Sequence, residues 1–323
     1  MVPDTAFVER FRNDLDGLIA RDARVGIAVS GGPDSVALLL LAAAARPGQI
    51  EAATVDHGLR PESPNEAAMV AMFCQKIDVP HGTLAAHWTD KPVTAIQERA
   101  RRERYRLLSF WAEERGLDGL VTAHHADDQA ETLLMRLARG AGVRGLAGMR
   151  ASSRTPGSEM RLLRPLLGWR RTELQEICRD AGVETVADPS NDDEQYERVR
   201  VRKHLADGGW LDAASIANSA RHLADAQTAL EWASRREWKQ AVTERSDDLI
   251  TYTPTDAPSE IVRRIISRAV RTFATEGETD LRGSELDRLL KTLRDGDIAT
   301  LRGVRCEGGN EWRFSPAPAR RDR

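Results

Sequence analysis

Apolar and polar positions along the first two thirds of the chain form blocks of two kinds. Short apolar runs with the length of buried strands lie at residues 25–29, 50–55, 83–88 and 119–123. Stretches with the apolar spacing of helices lie at residues 5–21, 35–45, 65–77, 95–115 and 127–139. Strands that alternate with helices build βαβ units, so we predict an α/β fold with a doubly wound, Rossmann-like parallel sheet.

Residues 151–159 are predicted to form a surface loop, and residues 172–181 a further helix. Beyond residue 212 the pattern changes. The elements predicted after it are a long helix through residue 242, a strand at 249–252, helices at 259–275 and 283–293, and late strands around 298–306 and 312–315. We therefore expect a domain over residues 1–212 that ends in a basic linker, and a second, smaller, mostly helical domain over residues 213–323.

The stretch Ser30-Gly31-Gly32-Pro33-Asp34-Ser35 joins the first predicted strand to its helix. Glycines let a ligand approach the backbone, proline suits a first helical turn, and the free amides of a helix start favour phosphate. A capped helix after a glycine turn is the alternative interpretation, but the two serines and the aspartate exceed what one cap requires. The Walker spacing and its lysine are absent, so the stretch predicts a different phosphate-binding loop.

Two further polar clusters begin where a predicted strand ends. They are Asp56-His57-Gly58-Leu59-Arg60 and His124-His125-Ala126-Asp127-Asp128-Gln129-Ala130-Glu131. Ligands of open α/β sheets bind at the carboxyl ends of the strands, so we expect one site to collect both clusters and the glycine loop. Asp56 and His57, after the second strand, are expected near the adenosine part of a nucleotide, although both are also ordinary loop residues.

Asp128 and Glu131 are three residues apart and should share a helix face. We expect this face to be open, because leucines occupy the opposite side, and we expect either Asp127 or Asp128 to cap the helix. Two carboxylates on an open face would attract a metal ion or an amine. No zinc spacing is present, which favours an amine or magnesium over zinc.

Positive charge is concentrated in two segments. Arg101 and Arg104 share a helix face and would meet a phosphate or a carboxylate, whereas their arginine neighbours fit a solvated face with Glu–Arg pairs. Farther along, the turn-rich Asp188-Pro189-Ser190-Asn191-Asp192 is followed by Tyr196, Arg198, Arg200, Arg202, Lys203 and His204. A solvated helix is one interpretation of this segment. A contact with an RNA backbone is favoured, because no acidic residue after Glu197 compensates the cations.

Composition narrows the protein classes. A net charge of −3 with 30% charged residues excludes a uniformly basic nucleic-acid binder, so any RNA contact must be local. Cys74, Cys178 and Cys306 lie far apart, which argues against a zinc ribbon, an iron–sulfur cluster or a disulfide scaffold. The start of the chain lacks a signal-peptide pattern and the longest apolar run, residues 36–45, is too short for a bilayer, so we expect a cytoplasmic protein with no membrane partner.

Together, these motifs resemble the tRNA(Ile)-lysidine synthetase family of the N-type ATP pyrophosphatases, also called PP-loop enzymes. Matching stretches occur in order at residues 30–35, 55–60, 100–105, 123–132, 162–167 and 188–191. The resemblance covers about residues 25–205, and the chain has the length of the short form of the family. One departure is Val199, where the family usually has asparagine.

The resemblance implies a ligase that uses ATP and Mg²⁺. It would adenylate C2 of the wobble cytidine in the CAU anticodon of tRNA(Ile), releasing pyrophosphate, and then attach free L-lysine with loss of AMP, which changes the specificity from methionine and AUG to isoleucine and AUA. The second domain would recognise the tRNA, and a homodimer is one assembly that the sequence leaves open.

The resemblance also implies roles for individual residues. The nucleotide would be bound by Ser30, Gly31, Gly32, Pro33, Asp34, Ser35, Asp56 and His57, with Mg²⁺ near Asp34. The catalytic residues would be Asp34, Asp128, Glu131, Arg101 and Arg104. The acidic pair suits the cationic end of lysine or a proton acceptor, and either arginine suits a carboxylate or a phosphate.

Two other classes of protein would share the glycine loop. A tRNA thiolase would also adenylate a base, but its common forms need paired cysteines that this chain lacks. A regulatory nucleotide-binding module would have no use for the carboxylate pair or the basic segment.

Overall fold

The computed structural model describes residues 2–59, 61–88, 96–186, 195, 197–206, 209–274, 281 and 283–318. Arg60, the motif at residues 188–192 and Tyr196 lie outside the described residues. The chain divides into two compact units, an N-terminal unit of Met1–Ala141 and Gly145–Leu223 and a C-terminal unit of Gly142–Arg144 and Ala224–Arg323.

A six-stranded sheet forms the centre of the described part of the N-terminal unit, in the order β3-β2-β1-β4-β6-β5. Its strands are β1 Val25–Ala28, β2 Ile50–Asp56, β3 His81–Ala85, β4 Gly119–Val121, β5 Ser152–Arg154 and β6 Arg161–Leu163. All neighbouring strands pair in parallel except β5 and β6, which are antiparallel. The predicted α/β fold is therefore confirmed, with an antiparallel edge strand added.

Helices cover both faces of this sheet. The helices of the chain up to residue 206 are α1 Thr5–Asp16, α2 Pro33–Ala45, α3 Ser63–Lys76, α4 Ile96–Glu114, α5 Ala126–Ala138, α6 Val143–Leu146, α7 Arg171–Asp180 and α8 Glu197–Ala206, with a 3₁₀ turn at Pro165–Gly168. Val121 belongs to a core cluster with α1, α2 and α7, whereas its neighbour Leu120 belongs to a cluster with α4. Successive strand residues point to opposite faces, so the two clusters show that the sheet is doubly wound.

The residues around 152 are the part of this unit that the sequence predicts wrongly. Residues 151–159 read as a loop, but Ser152–Arg154 pairs with Arg161–Leu163 as an edge strand. An edge strand with largely exposed residues needs no apolar alternation, so its sequence looks like that of a loop. The third strand also begins earlier than predicted, at His81, where it pairs with Ala52.

The C-terminal unit combines helices with an antiparallel sheet of the order β7-β8-β11-β10-β9. Its elements begin within the long helix α9 Ala213–Ala241 and continue with β7 Val242–Ser246, β8 Leu249–Tyr252, α10 Ser259–Phe273, α11 Gly283–Arg294, β9 Ile298–Leu301, β10 Val304–Glu307 and β11 Trp312–Pro316. One face of the sheet and both later helices enclose a separate core around Tyr252, Ile266 and Phe314. Within the described chain, no helix is long and apolar enough to cross a membrane.

Gly26 of β1 lies close to Trp111, and a substitution at Gly26 tests this packing. A Cβ atom added at Gly26 would lie 2.6 Å from Cζ3 of Trp111, which is buried. We expect Gly26→Ala to destabilise the protein by about 1–3 kcal/mol, because the indole of Trp111 must move within a packed core. Thermal unfolding followed by circular dichroism measures the loss. The matched control is Gly168→Ala, because a Cβ there meets nothing within 4 Å; equal unfolding midpoints for the two variants would contradict this account.

Candidate active site

The strand order reverses direction between β1 and β4, which is where doubly wound sheets bind ligands. A cavity of about 280 Å³ lies there. Its polar lining consists of Ser30, Asp34, Ser35, Arg101, Arg104, Tyr105, Thr122, His124, Asp128 and Arg198. The structure thus brings the glycine loop, the two arginines of α4 and one carboxylate of α5 together around one cavity.

The glycine loop is held by its own side chains. The Ser30 amide donates to Ser35 Oγ over 3.1 Å, and Ser35 Oγ donates to the Gly32 carbonyl over 2.9 Å. Gly32 precedes the helix and Pro33 is its first residue, so the first-turn amides of α2 are presented at the end of β1. This geometry is that of an anion-binding helix start.

The segment after α7 supports the loop from outside. The Val186 amide donates to the Gly31 carbonyl over 2.9 Å, and Gly31 has a φ of +85°. A Cβ at Gly31 would lie 2.9 Å from Cγ2 of Val186, so both the backbone angle and the available space require glycine. Cys178 Sγ donates to the Pro33 carbonyl over 3.3 Å, and burial raises the pKa of this thiol to about 11. Cys178 therefore remains a thiol that supports the loop.

His125 lies at the centre of a buried charge cluster. Its ring is fully buried, with Nε2 3.4 Å from Asp34 Oδ2 and 3.6 Å from Asp128 Oδ2, and Nδ1 3.6 Å from Asp127 Oδ2. Burial alone would lower the pKa of His125, but the carboxylates of Asp127, Asp34 and Asp128 outweigh it and raise the pKa to about 9. The ring is an imidazolium at neutral pH.

The two aspartates at the start of α5 have different partners. Asp128 accepts a hydrogen bond from the His125 amide over 3.1 Å, which confirms that one of the two caps the helix. Asp127 accepts from the Arg171 amide over 2.8 Å and from the Arg170 guanidinium over 3.2 Å. Burial opposes the charge of Asp127, but His125 and these donors hold its pKa well below the usual range. Asp127 therefore fixes the start of α5 to the start of α7.

The expectation that Asp128 and Glu131 face open solvent is wrong for Glu131, whose side chain is 1% exposed. Arg198 Nε donates to Glu131 Oε2 over 2.6 Å, and Arg202 Nε donates to Glu131 Oε1 over 2.8 Å. Arg198 also donates to Asp128 Oδ1 over 2.9 Å. Helix α8 packs on this face of α5, so the acids that compensate its arginines come from an earlier part of the chain. The prediction that these cations lack compensating acids is therefore wrong for Arg198 and Arg202.

Arg101 and Arg104 both reach the cavity from α4. The Arg101 guanidinium lies 5.1 Å from the ring centroid of Tyr105, and Arg104 Nε donates to His57 Nε2 over 3.4 Å. Burial, together with the charge of Arg104, lowers the pKa of His57 to about 4, so its ring accepts as a neutral base. His57 thus touches a cavity residue.

Asp56 serves a local turn. Its Oδ1 accepts hydrogen bonds from the Gly58 amide, over 2.8 Å, and from the Ser63 hydroxyl. Among the described residues of β2, those that line the cavity are Ala53 and Val55.

A model of the PP-loop domain family matches residues 4–208 of the chain. The tRNA(Ile)-lysidine synthase of Novosphingobium aromaticivorans is 50% identical over 314 residues, which cover 97% of this chain and 94% of that protein. The chain belongs to the tRNA(Ile)-lysidine synthase family. The synthase of Zymomonas mobilis is 42% identical over 96% of this chain and 94% of its own length. A solved U34-tRNA thiolase of Methanococcus maripaludis superposes with a TM-score of 0.57 at 17% identity, over 68% of this chain and 80% of that one, which indicates a shared fold alone.

Membership confirms the family resemblance and the ATP-using class of ligase that it implied. The thiolase and the regulatory module are therefore set aside as classes for this chain. The synthases of Novosphingobium aromaticivorans and Zymomonas mobilis match 97% and 96% of this chain, so the similarity includes the C-terminal unit.

Sequence reasoning placed His124 and His125 in a cluster expected at this site without giving either a role, and it missed Arg198 as a member of the site. His124 lines the cavity, and its Nδ1 shares a hydrogen bond of 2.9 Å with Thr122 Oγ1. Burial lowers the pKa of His124 to about 4. A signal for both histidines was their place at the end of a strand. Arg198 gave no such signal, because only folding places it beside α5.

The residues fit a Mg²⁺ ion that arrives with the nucleotide. Asp34 Oδ1 is buried and lacks a hydrogen-bond partner among the described residues. Mg²⁺ is commonly held by one or two carboxylates together with substrate phosphates. The described residues contain no group of three or more His, Cys, Asp or Glu side chains that could hold a metal ion by themselves.

The link between α5 and α8 can be tested at Glu131. We expect Glu131→Gln to lower the free energy of unfolding by about 2–3 kcal/mol, because the amide leaves Arg202 without its buried counter-charge and Arg198 with Asp128 alone. Urea unfolding followed by tryptophan fluorescence measures this loss. The control is Glu197→Gln, which removes a more exposed pair with Arg139 and should cost less than about 1 kcal/mol. Equal losses would show that burial of the Glu131 pair does not matter.

Proposed function

We propose that this protein attaches L-lysine to C2 of the wobble cytidine in the CAU anticodon of tRNA(Ile), in two steps that consume ATP. The first step adenylates the cytidine and releases pyrophosphate, and the second replaces AMP with lysine. The observation that carries the proposal is the convergence of the glycine loop, Arg101, Arg104 and Asp128 on the cavity between β1 and β4. Phosphate, cation and carboxylate chemistry are thereby available at one place.

In the first step, the loop would hold the phosphates of ATP. The first-turn amides of α2 and the hydroxyls of Ser30 and Ser35 are suitable donors at the positive end of a helix. Asp34 Oδ1 would hold Mg²⁺, which when bound supplies positive charge against the phosphate oxygens. The guanidinium groups of Arg101 and Arg104 would stabilise negative charge on a phosphate or on the carboxylate of lysine.

In the second step, lysine must attack through a neutral ε-amine while its α-ammonium is bound. We assign the ammonium to Asp128, because this carboxylate lines the cavity, and we assign Glu131 an indirect role through Arg198. Both oxygens of Glu131 already accept from arginines. Glu131 therefore acts on the cavity by positioning the guanidinium of Arg198.

Two parts of the chain would bind the tRNA. The exposed cations Arg200 and Lys203 on α8 would meet backbone phosphates, and the C-terminal unit would recognise further parts of the tRNA.

Sedimentation of the purified protein distinguishes a monomer from the homodimer that the sequence leaves open.

The deciding experiment supplies the protein with ATP, Mg²⁺, radiolabelled lysine and a tRNA that carries the CAU anticodon. Label in the RNA, with release of pyrophosphate and AMP, is the expected result. A tRNA with a GAU anticodon serves as the control and should remain unlabelled. Release of pyrophosphate without label from lysine would refute lysine as the second substrate.

We expect Asp34→Asn to slow tRNA-dependent pyrophosphate release by about 100-fold or more, because the amide cannot supply the negative charge that Mg²⁺ requires. The folded structure should persist, since the side chain lies at the cavity and is 29% exposed. Asp22→Asn, at an exposed position in the N-terminal unit, is the control and should keep the wild-type rate. A wild-type rate in folded Asp34→Asn would remove Asp34 from the site.

We expect the double variant Arg200→Gln with Lys203→Gln to bind the tRNA more weakly and with a smaller dependence on salt. Each lost phosphate contact removes a share of counterion release, so the slope of log K against log salt should fall by about 0.7–0.9 per cation. Arg202 is left intact, since its charge is used by Glu131. The control, Arg21→Gln with Arg154→Gln, removes the same charge from two exposed positions. If the slope of log K against log salt falls equally in this control, the effect comes from net charge and not from contacts of α8.

A further inference from the structure

The solvent face of α9 carries an aromatic residue among cations. Within the C-terminal unit, Thr228, Trp232, Arg235, Arg236 and Lys239 follow helical spacing on one face of α9, and all five are exposed. Trp232 is 60% exposed. We call the four residues Trp232, Arg235, Arg236 and Lys239 the α9 platform.

The platform takes no part in the core of its unit. The opposite side of α9 supplies that contact, since Trp238 is buried in the core cluster and Gln227 is buried beside α10, where it accepts from Arg264 over 2.7 Å. The large aromatic side chain of Trp232 does not belong to the core cluster of this unit. Tryptophan is enriched at interaction surfaces, because its ring is largely apolar and its indole N–H can donate a hydrogen bond.

The charge on this face is unbalanced. Between Thr228 and Lys239 the acidic residues of the helix are Glu231, which accepts from Gln227 over 2.8 Å, and Glu237, which accepts from Tyr252 Oη over 2.9 Å. The Arg236 guanidinium lies 5.6 Å from the ring centroid of Trp232, so a cation stands at the indole. The platform thus combines a flat π surface with positive charge.

We propose that the α9 platform is an RNA-stacking site, at which an unpaired base of the tRNA lies on the indole of Trp232 and the neighbouring phosphates meet Arg235, Arg236 and Lys239. This inference rests on the proposed function, because the RNA is the tRNA substrate. An aromatic residue flanked by cations is the arrangement that binds unpaired nucleotides without reading a duplex.

Charge argues against a second copy of the chain as the occupant. A two-fold interface would place the platform opposite itself and bring like charges together. An acidic protein would satisfy the cations but would not need the exposed indole. RNA uses both features, and the protein already handles an RNA substrate under the proposed function.

The test measures the affinity of the full-length protein for tRNA carrying the CAU anticodon, by filter binding at several salt concentrations. Trp232→Ala should weaken binding about tenfold, which is the scale of losing one stacked base, while the salt slope stays unchanged because no phosphate contact is removed. Trp232→Phe should stay within about threefold of the wild type, since a smaller ring still stacks. Arg236→Gln should weaken binding and also lower the slope.

Phe110→Ala is the matched control, because Phe110 on α4 is also 60% exposed. It should bind tRNA as the wild type does. A perfectly paired RNA duplex should bind Trp232→Ala and the wild type equally, because it offers no unpaired base. Far-ultraviolet circular dichroism checks that Trp232→Ala is folded.

Three results would overturn the inference. Unchanged tRNA affinity in folded Trp232→Ala would remove Trp232 from the interface, and equal losses in Trp232→Phe and Trp232→Ala would exclude stacking. A wild-type dimer that Trp232→Ala converts to a monomer would assign the platform to self-association. Failure of the proposed function is distinct from these, since it appears as an absence of lysine incorporation by the wild type.

Discussion

Buried charges at the carboxyl ends of β1 and β4 must be paired, and the arrangement of the surrounding helices follows from this requirement. The His125 imidazolium lies among the carboxylates of Asp34, Asp127 and Asp128, which belong to α2 and α5. Asp127 extends the pairing to the start of α7 through Arg170 and the Arg171 amide. Unpaired, any one of these groups would carry a large desolvation cost. The cluster therefore ties three helices to one end of the sheet.

Glu131 extends the same principle to α8. Its buried carboxylate receives Arg198 and Arg202, and Arg198 continues into the cavity. A guanidinium held in this way keeps its position before substrate arrives, so its electrostatic contribution requires little rearrangement. The result is a cavity with fixed charges of both signs, which the proposed reaction would use to hold phosphates and an ammonium.

The positive charge that we propose for RNA binding is local in this protein. The net charge of the chain is −3, yet Arg200 and Lys203 on α8 and the cations of the α9 platform are exposed. On α9 the acids Glu231 and Glu237 accept hydrogen bonds from Gln227 and Tyr252, while Arg235, Arg236 and Lys239 are exposed. Local concentration of cations gives attraction for RNA without making the whole surface basic.

The sequence by itself determined the α/β class, the alternation of strands and helices along the chain, and the phosphate-binding loop. These features depend on local pattern, because strand length, helical spacing and the Ser30–Ser35 turn are each encoded within a few residues. The sequence also predicted a site at the carboxyl ends of the strands, where ligands of open α/β sheets bind. Asp34, Asp128, Arg101 and Arg104 all line the cavity that this rule anticipates.

Tertiary structure decided which charges meet. Glu131 and Arg198 are separated by 67 residues, and no spacing rule predicts that α8 covers the face of α5 that looked open. Spacing also does not predict the charge of His125, because that charge depends on carboxylates contributed by two helices. Nor does it predict the edge strand at Ser152–Arg154, whose polar residues form a strand only beside β6. Pairing and burial are properties of the packed chain, so a sequence shows the candidate charges, and packing selects their partners.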